Sequence, residues 1–286
     1  MARFGKIAII GVGLIGGSIG LAIKNKKCAR EVIGVFRHKA TLKRALRHRA
    51  VDKGVMDIGQ GVKDADLIIL ATPVHFIPGL AVKISEKAKR GAIITDAGST
   101  KGWIVNSVEG LLKRSSGIHF VGSHPMAGSE HTGVEFASDD LFQDSACIVT
   151  RTPRTDRKAL TKVVGFWKSL GARVKVMSPS GHDRTVSFIS HLPHAVAFSL
   201  AGAVPPKEMS YAAEGFRDTT RVASSDPELW ADIFLTNRKA VLSASRMFKK
   251  SYELLLKAIS KDDRRATVSI LKKAKSKRDT FLYAKK

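Results

Sequence analysis

His124 lies in Gly122-Ser-His-Pro-Met-Ala-Gly-Ser-Glu130, where an imidazole is set among glycines, small hydroxyls and an acid. An imidazole titrates near neutral pH, so a positioned one can take a hydroxyl proton while hydride leaves the same carbon. That is the chemistry of alcohol dehydrogenation. Pro125 fixes one backbone angle, and Gly122 and Gly128 admit a ligand close to the chain, as a loop lining a small-molecule site requires. A surface turn with an incidental histidine is the plainer alternative. Ser99, in Asp96-Ala-Gly-Ser-Thr-Lys101, is placed to hydrogen-bond a substrate hydroxyl or His124, or to cap the helix that follows. His191 and His194 stand three residues apart on one helical face; no further ligand completes a metal shell at a suitable spacing, and Pro193 distorts the turn, so no metal is expected. Arg221, in Phe216-Arg-Asp-Thr-Thr-Arg-Val-Ala223, can grip a carboxylate bidentately, although an arginine in so basic a chain also fits a surface role.

These residues need elements to hold them. The apolar run Lys6 to Ile10 passes directly into Gly11-Val-Gly13-Leu14-Ile15-Gly16-Gly17-Ser18 and then an apolar segment, which reads as strand, tight turn and helix. In that context Gly11 allows the turn, Gly13 lets backbone amides approach a pyrophosphate, and Gly16 permits close packing, so a dinucleotide site is expected. A second strand, Glu31 to Phe36, ends where an acid would accept the ribose 2′-hydroxyl of NAD. Phe36 stands there instead, followed by Arg37, His38, Lys39 and Thr41, which favours NADP over NAD. Further strands are expected at 65–71, ending at Thr72-Pro73 beside the cofactor, at 91–95, at Phe120-Val121, at 144–150 and at 173–177, with helices at 40–50, 74–89 and 156–170. Beyond Ser178 only helical periodicity remains, over 182–204, 207–223, 227–252 and 261–283. The expected organisation is an α/β doubly wound dinucleotide-binding domain at 1–178 and an all-helical domain at 179–286.

The 286 residues are 44% hydrophobic and 26% charged, a globular composition. Without an evident membrane span or secretory leader, a cytoplasmic protein is expected. Cys28 and Cys147 suggest neither a disulfide framework nor zinc. The net charge of +24 would attract phosphates, carboxylates, nucleic acid or anionic membrane. Its spread along the chain, without interleaved aromatics or a base-reading motif, favours a solvated basic surface over nucleic-acid binding.

With GVGLIGGS, DAGSTK, GSHPMAGSE, SHLPHAVAF, FRDTTRVA and SDPELWADI in this order, nearly the whole chain resembles the prephenate dehydrogenases of tyrosine biosynthesis. GSHPMAGSE and SHLPH in combination are specific to that family. The resemblance implies oxidative decarboxylation of prephenate to 4-hydroxyphenylpyruvate with NAD or NADP. It implies His124 as the catalytic base, Ser99 as its companion at the substrate hydroxyl and Arg221 as the carboxylate anchor. His191 and His194 would line the substrate pocket, with Glu130 and Trp230 nearby. Two subunits would pair through the helical domain, and no separate chorismate mutase or regulatory domain is expected within these 286 residues. Members that prefer arogenate often replace the second histidine of SHLPH, so His194 favours prephenate. Arogenate remains the alternative, then another hydroxy-acid dehydrogenase of this architecture, then a nucleic-acid-binding protein that keeps an inactive cofactor fold.

Overall fold

The computed structural model describes residues 4–113, 117–128 and 131–283; Glu130 lies outside the described residues. The chain runs β1 (Phe4–Ile10), α1 (Leu14–Asn25), β2 (Ala29–Val35), α2 (Lys39–Arg47), β3 (Lys53–Val55), α3 (Ile58–Val62), β4 (Leu67–Leu70), α4 (Ile77–Ser85), β5 (Ile93–Asp96), α5 (Gly102–Leu111) and β6 (His119–Val121). These six strands form one parallel sheet in the order β3-β2-β1-β4-β5-β6. The order reverses between β1 and β4, and ligands of such sheets bind beyond the strand carboxyl ends at that reversal. Ile7 and Ile9 of β1 enter one core and Ala8 and Ile10 the other, because successive side chains point to opposite faces. Both faces are therefore covered, which is why Ile7 to Ile10 of β1 and the whole of β4 read as unbroken apolar runs.

A second, three-stranded sheet follows. It contains β7 (Ser123–Pro125), β8 (Ala146–Thr150) and β9 (Arg173–Met177), with α6 (Arg157–Ser169) between the last two. β7 pairs antiparallel with β8, setting His124 opposite Ile148, so His124 sits on a strand rather than in the loop expected from its glycine-rich surroundings. β3 was not foreseen either.

From Met177 onward every described element is a helix: α7 (Pro179–Val186), a π-helical turn at Ser187–His191, α8 (Leu192–Ala203), α9 (Pro206–Met209), α10 (Glu214–Thr220), a 3₁₀ turn at Arg221–Ser224, α11 (Pro227–Thr236), α12 (Arg238–Ser260) and α13 (Arg264–Tyr283). Pro193 has no N–H to give the carbonyl four residues back, and the wider π turn directly before α8 accommodates that loss. The expected single helices over 207–223 and 227–252 are each broken into shorter pieces. By internal compactness the chain divides into residues 1–238 and 239–286. Pro179–Ala203 is long and apolar enough by composition to cross a bilayer, contrary to the sequence expectation of no such run, yet it contributes His182, Asp183 and His191 to the network described next.

Candidate functional site

The cofactor crevice begins at the glycine turn. Gly11 has φ of +91°, and a Cβ there would lie 2.5 Å from the Ala71 carbonyl oxygen, so only glycine fits between the ends of β1 and β4. A Cβ on Gly16 would lie 2.0 Å from the Gly11 carbonyl oxygen, which explains the close approach of α1. A Cβ on Gly13 would meet nothing within 4 Å, and no side chain caps α1 there. The first amides and the positive end of the helix dipole are thus presented beside open space, as an anion requires.

A cavity of about 570 Å³ opens here, lined by Gly11, Val12, Gly13, Phe36, Arg37, His38, Thr41, Thr72, Pro73, Phe76 and Lys83 among others. No acidic residue is among its described lining residues. Phe36 buries its ring as floor, and the Arg37 guanidinium lies 5.5 Å from the Phe76 ring centroid. The buried hydroxyl of Thr72 has no hydrogen-bond partner among the described residues. An orphaned hydroxyl, an uncapped helix N-terminus and cations without acids fit a nicotinamide dinucleotide.

His124 is held by its neighbour. The Ser123 hydroxyl donates to the Asp96 carbonyl and accepts from the Trp167 indole N–H at 2.9 Å, while the Ser123 amide donates to the Asp96 carboxylate at 3.1 Å. These bonds fasten β7 to the carboxyl end of β5. Asp96 also receives the amide of Gly98 and the ammonium of Lys101, which is fully buried. Burial lowers the lysine's proton affinity and Asp96 partly restores it.

The partner of the His124 ring is His182 rather than Ser99: Nδ1 of His124 lies 2.8 Å from Nε2 of His182, whose Nδ1 lies 2.8 Å from Oδ1 of Asp183. No hydrogen bond joins Ser99 to His124 among the described residues, so its expected link to the imidazole is replaced by this one. Nor does Ser99 cap α5. Asp183 caps that helix from a distance, accepting the amides of Lys101 at 2.8 Å and Gly102 at 2.9 Å. The half-buried Ser99 remains on the same β5–α5 turn, which Thr100 joins to Thr236 of α11 at 3.1 Å.

The remaining expected residues cluster on the helical side. His191 is buried and lies 3.1 Å from the Asn237 amide nitrogen; His194 donates from Nδ1 to the Ser190 carbonyl at 2.9 Å. Trp230 stacks on His194 with centroids 3.5 Å apart and meets His191 edge-on at 6.0 Å. Arg221 lies close enough to His194 for its charge to disfavour protonation of that ring. Near α1, a Cβ on Gly128 would touch Ile15, so the segment after His124 borders the glycine turn.

Burial pushes the His124 ring well below the usual imidazole range, helped by His182, Lys101 and His191. His191 is pushed down to about 4, mainly by burial. Both rings are neutral at pH 7. The unfolded chain takes up a proton on each near pH 6.5 and the native state does not, so native stability is retained above 6.5 and lost as pH falls through that value toward 4. For His191 alone this amounts to about 3 kcal/mol. Urea midpoints should fall between pH 7 and pH 4.5, with a shallower slope in His191→Gln; equal slopes in the two proteins would show that His191 titrates normally.

A family model described as prephenate dehydrogenase, nucleotide-binding domain, matches residues 19–176, and one described as prephenate dehydrogenase, dimerization domain, matches residues 178–273. The chain belongs to the prephenate dehydrogenase family. Among similar family members, the prephenate dehydrogenase of Bacillus subtilis strain 168 is 36% identical over 283 residues, 96% of this chain and 75% of that protein. The cyclohexadienyl dehydrogenase of Zymomonas mobilis is 35% identical over 271 residues, 92% of this chain and 91% of that protein. The crystal structure of the Aquifex aeolicus prephenate dehydrogenase, in complex with hydroxyphenyl propionate and NAD+, superposes with a TM-score of 0.90 at 34% identity, covering 97% of this chain and 98% of that one. This prephenate dehydrogenase family member is thus an oxidoreductase with a nucleotide-binding domain of Rossmann type.

Sequence reasoning missed His182, Asp183, Asn237 and the burial of Lys101. The His-Asp pair opening the helical half was a visible signal, but no spacing connects it to His124. Lys101 offered none, because a lysine in a chain of +24 reads as surface.

Proposed function

We propose that the chain oxidises and decarboxylates prephenate to 4-hydroxyphenylpyruvate, with NADP preferred to NAD. The observation that supports the reaction is a buried imidazole at position 124, kept neutral by burial and fastened through Ser123 to the carboxyl end of β5. His124 accepts the ring hydroxyl proton, and Ser99 on the neighbouring turn contacts that hydroxyl. Arg221 holds a substrate carboxylate, while His191, His194 and Trp230 wall the pocket. The bound nicotinamide supplies the hydride acceptor. As the hydroxyl carbon becomes carbonyl-like, electrons of the ring carboxylate's C–C bond flow through the ring to that oxygen, carbon dioxide departs, and the proton held by His124 returns to give the phenol. A base so placed contributes roughly 100- to 10,000-fold.

The NADP preference rests on Arg37, His38, Thr41 and Lys83 around a cavity whose described lining holds no acid. A homodimer paired through the helical residues, in the cytoplasm, completes the reading; the match of 178–273 to a dimerization-domain model supports the pairing. The presence of His194 as the second histidine of SHLPH favours prephenate over arogenate. Initial rates across both substrates and both cofactors test these choices together. A kcat/KM at least tenfold higher for prephenate, and higher for NADP, is expected. An arogenate preference above tenfold would overturn the substrate, and dominance of NAD would show that Arg37 and Lys83 read no phosphate.

A further inference from the structure

Asp183 stands at the junction of two hydrogen-bond paths that end on different histidines. Its carboxylate lies 2.8 Å from Nδ1 of His182, and its main-chain carbonyl lies 2.9 Å from the side-chain nitrogen of Asn237. We infer that Asp183 assigns opposite tautomers to the two site histidines, making Nε2 of His124 a proton acceptor through His182 and Nε2 of His191 a proton donor through Asn237. This rests on the reading of His124 as the base and adds how the base is set.

The assignment follows from donor and acceptor capacity alone. An ionised carboxylate only accepts, and Asp183 is ionised: burial works against its charge, but His182 and the amides of Lys101 and Gly102 outweigh it. The proton between Asp183 and His182 therefore sits on Nδ1 of His182. Burial keeps His182 neutral, so its Nε2 has a lone pair. The 2.8 Å contact to His124 then requires the proton on Nδ1 of His124, which leaves the lone pair on Nε2. A histidine in the other tautomer would meet His182 lone pair to lone pair.

The second path gives the reverse result. A main-chain carbonyl also only accepts, so the atom of Asn237 facing Asp183 is its amide nitrogen. That same nitrogen lies 3.1 Å from Nδ1 of His191, which must supply the lone pair, and the ring proton goes to Nε2. A substrate bearing a hydroxyl to deprotonate and a carboxylate to receive a hydrogen bond needs one acceptor and one donor. The groups facing His124 from neighbouring elements are His182 and His191 on the 179–203 helical run and Lys101 before α5; Lys101 is paired with Asp96 of β5. None of these supplies another acceptor for the His124 Nδ1 proton.

His182 and Asp183 are thus positioning residues. Long-range proton–nitrogen NMR of the full-length protein with ¹⁵N-labelled histidine, assigned through His124→Asn and His191→Asn, reads each tautomer directly. At pH 7.5 His124 should carry its proton on Nδ1 and His191 on Nε2. In His182→Leu, kcat should fall about 100-fold, the scale on which a misoriented base imidazole is felt, with substrate KM and cofactor Kd within threefold. His182→Gln, whose Oε1 accepts the same proton, should recover most of that loss. A wild-type His124 protonated on Nε2 would overturn the inference, as would a folded His182→Leu enzyme within threefold of wild-type kcat. Should His182→Leu not fold, the wild-type tautomers still decide. Failure of the base reading is separate: it would appear as an active His124→Asn enzyme, whatever the tautomers.

Discussion

His124→Asn is expected to reduce kcat by roughly 1,000-fold or more while cofactor affinity stays within threefold. Asparagine keeps a polar group of similar reach on β7, so the strand and its bonds through Ser123 survive. What the change would remove is the lone pair proposed to take the hydroxyl proton, and general bases of this type contribute roughly 100- to 10,000-fold. The cavity proposed to hold the cofactor is lined by Gly11 to Gly13, Phe36 to His38, Thr41, Thr72, Pro73 and Phe76, none of which hydrogen-bonds His124 among the described residues. Single-turnover rates and cofactor titration by fluorescence check the two halves. A variant within tenfold of wild type would remove His124 from the role.

Lys101→Met should cost about 3–5 kcal/mol of stability, the penalty for leaving one member of a buried ion pair without its counter-charge. The side chains of Lys101 and Asp96 are both fully buried, and methionine fills similar space without an ammonium. Asp96 would then keep only amide donors, from Gly98 and Ser123, for a charge sealed from water. Because those bonds also fasten β7, activity should fall along with stability. Denaturant unfolding measures the loss, and combining the change with Asp96→Asn, which removes the stranded charge, should recover part of it. A loss below 1 kcal/mol would mean that water reaches this pair.

The sheet strands were legible because β1, β4 and β5 are buried on both faces and announce themselves as short apolar runs bounded by glycine, proline or charged residues. β3 and β7 were not, since three residues carry no periodicity and β7 contains a proline that reads as a loop. The π turn at Ser187–His191 was visible only as a distortion expected at Pro193. Gly11, Gly13, Arg37 and Thr72 line one cavity, and Trp230 packs against both His191 and His194. The ring that holds His124 was beyond sequence reading: His182 is 58 residues away, and only the meeting of β7 with α7 brings them to 2.8 Å. A hydroxyl on a strand-end turn was the nearer guess, and Ser99 filled it.

The most direct test is stoichiometry. With prephenate and NADP, reduced nicotinamide and released carbon dioxide should appear in equal amounts and at the same rate in the wild-type enzyme, and neither should form at a comparable rate in His124→Asn. Reduced nicotinamide without carbon dioxide, or equal formation of both in His124→Asn, would contradict a base at position 124 driving oxidative decarboxylation.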